Sequence, residues 1–192
     1  MNNAVINFER PVNERTRNYV PGSRERKALT TELDRLSAEI QDIPLIIGGK
    51  EIRTGKTGTV VMPHNHQHVL AKYHMAGEAE IKMAIDAALK AHKEWAAIPW
   101  VERVSVSLRA AELLSLTYRP LINASTMLGQ GKNAYQAEID AACETIDFLR
   151  FNAYFTSEIY KDQPHSSPGI INRFEYRPLE GFVFTVTPFN FT

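Results

Sequence analysis

The chain has 192 residues, with 22 basic and 22 acidic side chains, six histidines and 44% apolar residues, a composition that excludes a disordered tail or a collagen-like rod. The balanced charge and the lack of a local basic patch argue against nucleic acid and against an acidic membrane surface as partners. A single cysteine, Cys143, neither closes an internal disulfide nor anchors a Cys-rich zinc site. No run of about 18 apolar residues is present to span a bilayer, and Glu9 and Glu14 break any transit-peptide bias. A reducing compartment suits this pattern: cytoplasmic for a bacterial protein, mitochondrial matrix for a eukaryotic one.

Residues 1–22 are polar, interrupted by Pro11 and Pro21, and read as an extended arm lying on a surface. Ser23 is placed to cap a helix whose Leu29, Leu33, Leu36 and Ile40 share one face up to Pro44. Leu45-Ile46-Ile47 and Lys50-Glu51-Ile52 flank Gly48-Gly49 as two short strands, and 58–62 is a third, so a small antiparallel sheet is expected near 44–62. Three helical stretches follow. In 78–95, Ile81, Ala84, Ile85, Ala88, Leu89 and Trp95 form a stripe expected to be buried. Pro99 suits the first turn of the next, which runs with Val101, Val104, Leu108, Ala111 and Leu114 to about Tyr118; Pro120 ends or kinks it, and 121–128 resumes. From 133 to 160, the spacing of Ile139, Ala142, Ile146, Leu149 and Ala153 predicts a long third helix.

Beyond the break at 163–169 the pattern changes. Residues 170–177 alternate charge with β-branched and aromatic side chains, as a half-exposed strand does. Phe182-Val183-Phe184-Thr185-Val186 is apolar on both faces, the mark of a strand buried on both sides in a parallel sheet. Such a strand needs neighbours and covering helices, and a βαβ unit takes about 30 residues. The expectation is therefore the front portion of a larger α/β protein.

Several motifs invite chemistry. Gly129-Gln130-Gly131-Lys132-Asn133-Ala134 matches a dinucleotide fingerprint on paper, but that fingerprint needs a strand ahead of it, and a helical pattern stands there instead. A glycine-rich turn between helices is the better account. His64, His66 and His68 alternate, yet no nearby carboxylate or thiol completes a metal set, so no metal is assigned. Cys143 lies mid-helix beside Glu144 and one turn from Asp140; negative neighbours raise a thiol's pKa, so it is expected to be a packing residue and no nucleophile. The stretch 187–191 is more informative, because ligands of open α/β sheets bind at the carboxyl ends of strands. Pro188 turns the chain outward there, and Asn190 offers amide donors suited to a developing oxyanion. Capping of a following helix by Asn190 explains the local pattern equally well.

Glu180-Gly181-Phe182-Val183-Phe184-Thr185-Val186-Thr187-Pro188-Phe189-Asn190-Phe191-Thr192 resembles the first nucleotide-binding strand and loop of the aldehyde dehydrogenase superfamily. Met127-Leu128-Gly129-Gln130-Gly131-Lys132, Gln136-Ala137-Glu138-Ile139-Asp140-Ala141-Ala142 and Ile146-Asp147-Phe148-Leu149-Arg150-Phe151-Asn152-Ala153 resemble one branch of it, the 1-pyrroline-5-carboxylate (L-glutamate γ-semialdehyde) dehydrogenases. Pro21-Gly22-Ser23 and Lys93-Glu94-Trp95 extend the likeness over nearly the whole chain.

The resemblance implies an α/β fold, the N-terminal part of an aldehyde dehydrogenase. The arm at 1–22 leads into a helical part at 23–162 that carries the small sheet, a bridging, oligomerisation-type strand falls within 163–181, and the first strand of the Rossmann-like sheet, with its loop, occupies 182–192. It implies NAD as cofactor and oxidation of the semialdehyde to L-glutamate in proline breakdown, by a cysteine thiolate, hydride transfer and a glutamate base. In this likeness Asn190 holds the oxyanion, and Thr187, Pro188 and Phe189 lie near the nicotinamide half of NAD. Phe191 packs on the substrate's aliphatic chain, and Glu144 stands on the substrate side of the long helix, where a surface salt bridge accounts for it equally well. The family's cysteine, its general-base glutamate, the lysine serving the adenosine ribose and a later glycine turn are expected beyond position 192, so the chain alone is expected to be inactive and its parent a homo-oligomer. The alternative is a non-catalytic interaction module that pairs through its exposed last strand.

Overall fold

The computed structural model describes residues 6–191. Residues 1–5 of the expected arm and Thr192 of the terminal motif lie outside the described residues. Helix α1 (Arg24–Ala38) starts where the sequence predicts: Ser23 is extended and its hydroxyl accepts from the Arg26 amide at 3.2 Å. Leu29 and Leu36 are buried, and with Leu33 they pack on Ala124, Leu121 and Leu128. The helix stops at Ala38, two residues short of Ile40, which is exposed because the chain turns extended at Glu39 to enter a strand. Substituting Ser23→Ala leaves the Arg26 amide without its acceptor and is expected to cost about 1 kcal/mol, measured as a lower urea midpoint at unchanged m-value.

Strands β1 (Gln41–Ile43), β2 (Leu45–Ile47), β3 (Lys50–Ile52), β4 (Thr57–Met62) and β5 (Asn65–His74) form two sheets. The hairpin expected around Gly48-Gly49 is β2–β3, and both glycines adopt the positive φ that its two-residue turn demands, +57° and +76°. The third expected strand exists, but it pairs with β5, which the sequence did not announce, and β1 lies parallel on the other edge of β5. That sheet is therefore mixed, where a purely antiparallel one was expected. The first half of β5 is histidine-rich and solvent-facing, and only Leu70 and Ala71 are buried, so it carries too little apolar alternation to stand out. His64 falls in the β4–β5 turn, and His68 donates from Nε2 to the Ser37 carbonyl at 2.9 Å, which spends that ring nitrogen on tying β5 to the end of α1.

The helices α2 (Glu78–Ala97), α3 (Trp100–Leu116) and α4 (Arg119–Gln130) follow. Pro99 caps α3 from outside its first turn, and Pro120 sits in the first turn of α4. The apolar stripe expected to be buried on α2 is not: no residue of that helix is buried, and Trp95 is 48% exposed. The periodicity is correct, but the β2–β3 hairpin is the main neighbour of α2 and too small to cover the stripe. The long third helix is α5 (Ala134–Ala137), a π-helical turn (Glu138–Cys143) and α6 (Glu144–Lys161) in unbroken succession. Its inner side, Ala142 and Ile146, closes a core with Ala111, Leu114, Ile122 and Leu149.

No strand forms after α6 among the described residues, so the strands expected at 170–177 and 182–186 are absent as ladders. Phe184 is 80% and Val183 77% exposed. A strand is held by a backbone ladder to a neighbouring strand, and among the described residues neither stretch is paired in one. Side-chain anchors hold the segment instead. Tyr176 Oη donates to the Ile159 carbonyl at 3.0 Å, the Phe174 amide donates to Gln163 Oε1 at 2.8 Å, and Tyr176 packs edge-on against Tyr160, which stacks on Trp100. His92 Nε2 donates to the Leu179 carbonyl at 2.5 Å, fastening the 178–181 turn to α2.

Candidate functional site

Two polar assemblies stand out from this frame. The first is buried. Arg119 and Glu138 are both fully buried and ion-paired, and Glu138 also accepts from Tyr19 Oη at 2.6 Å, the Arg17 amide at 2.7 Å and Asn123 Nδ2 at 2.8 Å. Glu14 from the arm reaches Arg119 at 2.6 Å and Arg150 at 2.5 Å, and Asp147 accepts from the Glu14 amide. The arm expected to lie on a surface is thus pinned into the helices by ionic bonds. Burial pushes the Glu138 carboxyl up, but the bonds from Arg119, Tyr19 and the Arg17 amide outweigh it and hold the group below the ordinary carboxylate range. Glu14 moves the same way: burial opposes, and Arg119, Arg150 and Ser115 prevail. For Tyr19, burial and the Glu138 carboxylate together raise the phenol's pKa.

Cys143 borders this cluster, 3.4 Å from an Arg119 nitrogen. Its thiol is pushed up to about 11, by burial first and by the Glu138 charge second. The expected direction is correct; the sequence neighbours Asp140 and Glu144 are not its main cause. A buried thiol that stays protonated at neutral pH is a poor nucleophile.

The second assembly lies where α4 hands over to α5. Gly131 caps α4 in the left-handed conformation, φ +68°, with its amide donating to the Met127 carbonyl. Asn133 opens α5 with a reciprocal pair of bonds to Gln136, at 2.9 and 3.0 Å. The Gly129–Gly131 pattern is therefore a turn between helices. Between the two caps, Lys132 pairs with Asp140 Oδ2 at 2.7 Å and donates to the Asn190 carbonyl at 2.5 Å, with its ammonium 5.8 Å from the centre of the Phe191 ring. Gln130 donates to the Phe191 carbonyl at 3.3 Å.

Of the residues singled out in the sequence, the structure therefore brings Asn190 and Phe191 to the head of the long helix that carries Glu144, four residues past Asp140. Glu144 is half-buried, and among the described residues no ion pair holds it. Among the described residues Thr187, Pro188 and Phe189 are not brought to any partner; they stay exposed, Phe189 to 94%. The Asn190 side-chain amide likewise makes no hydrogen bond among the described residues. Lys132 and Gln130 went unrecognised as part of the site, although both stand in the glycine pattern that the sequence does display.

Comparison with known proteins gives this arrangement a context. The chain is 48% identical over 182 residues to a probable delta-1-pyrroline-5-carboxylate dehydrogenase of Schizosaccharomyces pombe, covering 94% of this chain and 33% of the relative. It is 47% identical to a mitochondrial delta-1-pyrroline-5-carboxylate dehydrogenase of Emericella nidulans, over 98% of this chain and 33% of that one. The structure superposes on the crystal structure of the Mycobacterium tuberculosis delta-pyrroline-5-carboxylate dehydrogenase bound with NAD, with TM-score 0.94 and 47% identity, covering 98% of this chain and 36% of the other. The chain thus spans about a third of the length of the relatives it matches. The model of the aldehyde dehydrogenase family matches residues 52–192, a stretch that holds the α4–α5 turn, the long helix and the Asn190 loop together, and this chain belongs to that family.

Proposed function

We propose that this chain supplies the oxyanion loop and the substrate-side helix of an NAD-dependent dehydrogenase that oxidises L-glutamate γ-semialdehyde, the open form of 1-pyrroline-5-carboxylate, to L-glutamate. The observation that carries the proposal is the likeness to dehydrogenases of that name, at 47% identity and TM-score 0.94 over 98% of the chain. A eukaryotic source would place it in mitochondria, as the names of several relatives do.

Within this reading, Asn190 presents its uncommitted amide to the substrate's carbonyl oxygen as negative charge develops there, and Phe191 faces the aliphatic chain. Glu144, half-buried and without a cationic partner, lines the substrate side from the long helix. Among the described residues the cofactor is best matched by the loop at 187–189. Thr187, Pro188 and Phe189 are exposed and free of bonds to the described residues, whereas the glycine turn at 129–131 is spent on capping α4. NAD held there would accept hydride from the aldehyde carbon.

The product of the gene's whole reading frame, assayed with the semialdehyde, is expected to reduce NAD. Residues 1–192 alone are expected not to, because their one thiol is buried and protonated. Turnover by the 192-residue chain would contradict this assignment of roles, and a whole product that oxidises other aldehydes and spares this one would refute the substrate. The exposed run Phe182-Val183-Phe184-Thr185-Val186 favours a second reading, an interaction module without catalysis. A monodisperse, cooperatively melting 192-residue product isolated from cells would support that reading.

A further inference from the structure

We propose that Lys132 is a positioning residue that fixes the Asn190 loop, so that the orientation of the oxyanion donor is set from the turn between α4 and α5. The inference rests on the dehydrogenase reading above for its catalytic meaning, and on the geometry alone for the clamp. Lys132 sits on a rigid mount: Gly131 closes α4 immediately before it and Asn133 opens α5 immediately after. Its side chain is mostly sheltered, 16% exposed, and Asp140 holds the ammonium from one side at 2.7 Å. From the other side it binds the Asn190 backbone carbonyl at 2.5 Å, with the face of Phe191 within cation–π range at 5.8 Å. Gln130 takes the next carbonyl, that of Phe191, at 3.3 Å. Two successive carbonyls of the loop are thus held from one helix terminus, while the Asn190 side-chain amide is left uncommitted. A donor carried on a pinned backbone is preorganised for the charge it must meet, and small misplacements of such donors are costly to rate.

The clamp makes no demand on the rest of the fold. The Lys132 side chain contributes to neither apolar core cluster and stands apart from the Arg119–Glu138 assembly. Loss of its charge should therefore loosen residues 187–191 without unfolding the helices.

The test has two arms. In the 192-residue chain, backbone 15N relaxation of residues 187–191 is compared among the parent, Lys132→Met and Lys161→Met, the last removing only a surface pair with Glu158. Order parameters in that loop are expected to fall for Lys132→Met and to stay unchanged for Lys161→Met; equal values in all three overturn the clamp. In the whole dehydrogenase, Lys132→Met is expected to lower kcat by about tenfold or more, up to the hundredfold range of a lost oxyanion donor, with KM for NAD within about twofold. Lys132→Arg, which keeps the charge, is expected to recover most of the loss. Unchanged kcat in Lys132→Met overturns the positioning role and leaves the dehydrogenase reading standing. An inactive parent refutes that reading, and the relaxation arm still judges the clamp.

Discussion

Replacing Glu138 with alanine is expected to cost about 3–5 kcal/mol of folding free energy, the usual penalty for leaving one half of a buried ion pair without its partner. Arg119 is fully buried and would keep Glu14, the Arg15 carbonyl and the Cys143 sulfur as acceptors, while Tyr19 and the Arg17 amide would lose theirs and Asn123 would keep only Tyr19 Oη. Because Tyr19 and Arg17 belong to the arm, the loss should free residues 17–19 from the helices as well as lowering global stability, while Asn13 and Glu14 stay held by Asp147, Arg119 and Arg150. Urea denaturation reads the first effect, and amide exchange of the arm reads the second. A double variant, Arg119→Met with Glu138→Leu, should be less destabilised than either single one, since no orphan charge remains. If Glu138→Ala melts within about 1 kcal/mol of the parent, the pair is not the tie described.

The same cluster sets the response to acid. Glu138 and Glu14 are both held below their ordinary range in the folded chain, so their contribution is complete above the unfolded carboxylate value, about 4.3, and is lost as pH falls through the lower folded values. Stability should decline below about pH 5. In Glu138→Ala the decline should be shallower, because one of the two carboxylates that must take up a proton has gone.

The second large effect concerns chemistry. In the whole dehydrogenase proposed above, Asn190→Ala is expected to lower kcat by roughly a hundred- to a thousandfold, about 3–4 kcal/mol of transition-state stabilisation. KM for NAD should change little, and so should the melting temperature, since the Asn190 side chain is exposed and makes no bond among the described residues. Asn190→Asp should be no better than alanine, because a carboxylate at that point repels the developing oxyanion. A kcat within about threefold of the parent would remove Asn190 from the oxyanion role.

Much of the helical framework is legible in the residues themselves, because the devices that specify it are local. Ser23 caps α1, Gly48-Gly49 turns the hairpin, Pro120 opens α4 and Gly131 ends it. What escapes is non-local. Strand β5 is recognisable only once β1 and β4 flank it. The burial of Glu138 depends on Arg119, 19 residues earlier, and on an arm more than a hundred residues away. A hint was present, since Ala137, Ala141 and Ala142 leave room beside Glu138 and are all fully buried. The α2 stripe and the run at 182–186 have the opposite history: their pattern is plain in the sequence, and the chain offers nothing to lay over them. At the site, Asn190 and Phe191 are read from a family motif, whereas Lys132 becomes visible only when the loop folds back upon it.

The wide turn at Glu138–Cys143 has a consequence for how this helix tolerates change. A π-helical turn accommodates about one more residue than an α-helical one, so the flanking spirals are out of phase by roughly 100° of rotation. Winding the same residues as a uniform α-helix would swing Ile146 away from Ala111 while Glu138 stayed with Arg119, whereas removing one residue together with the wide turn would leave both in place. The extra residue is therefore stored in the wide turn, and its loss there would leave the ionic face and the apolar face where they are.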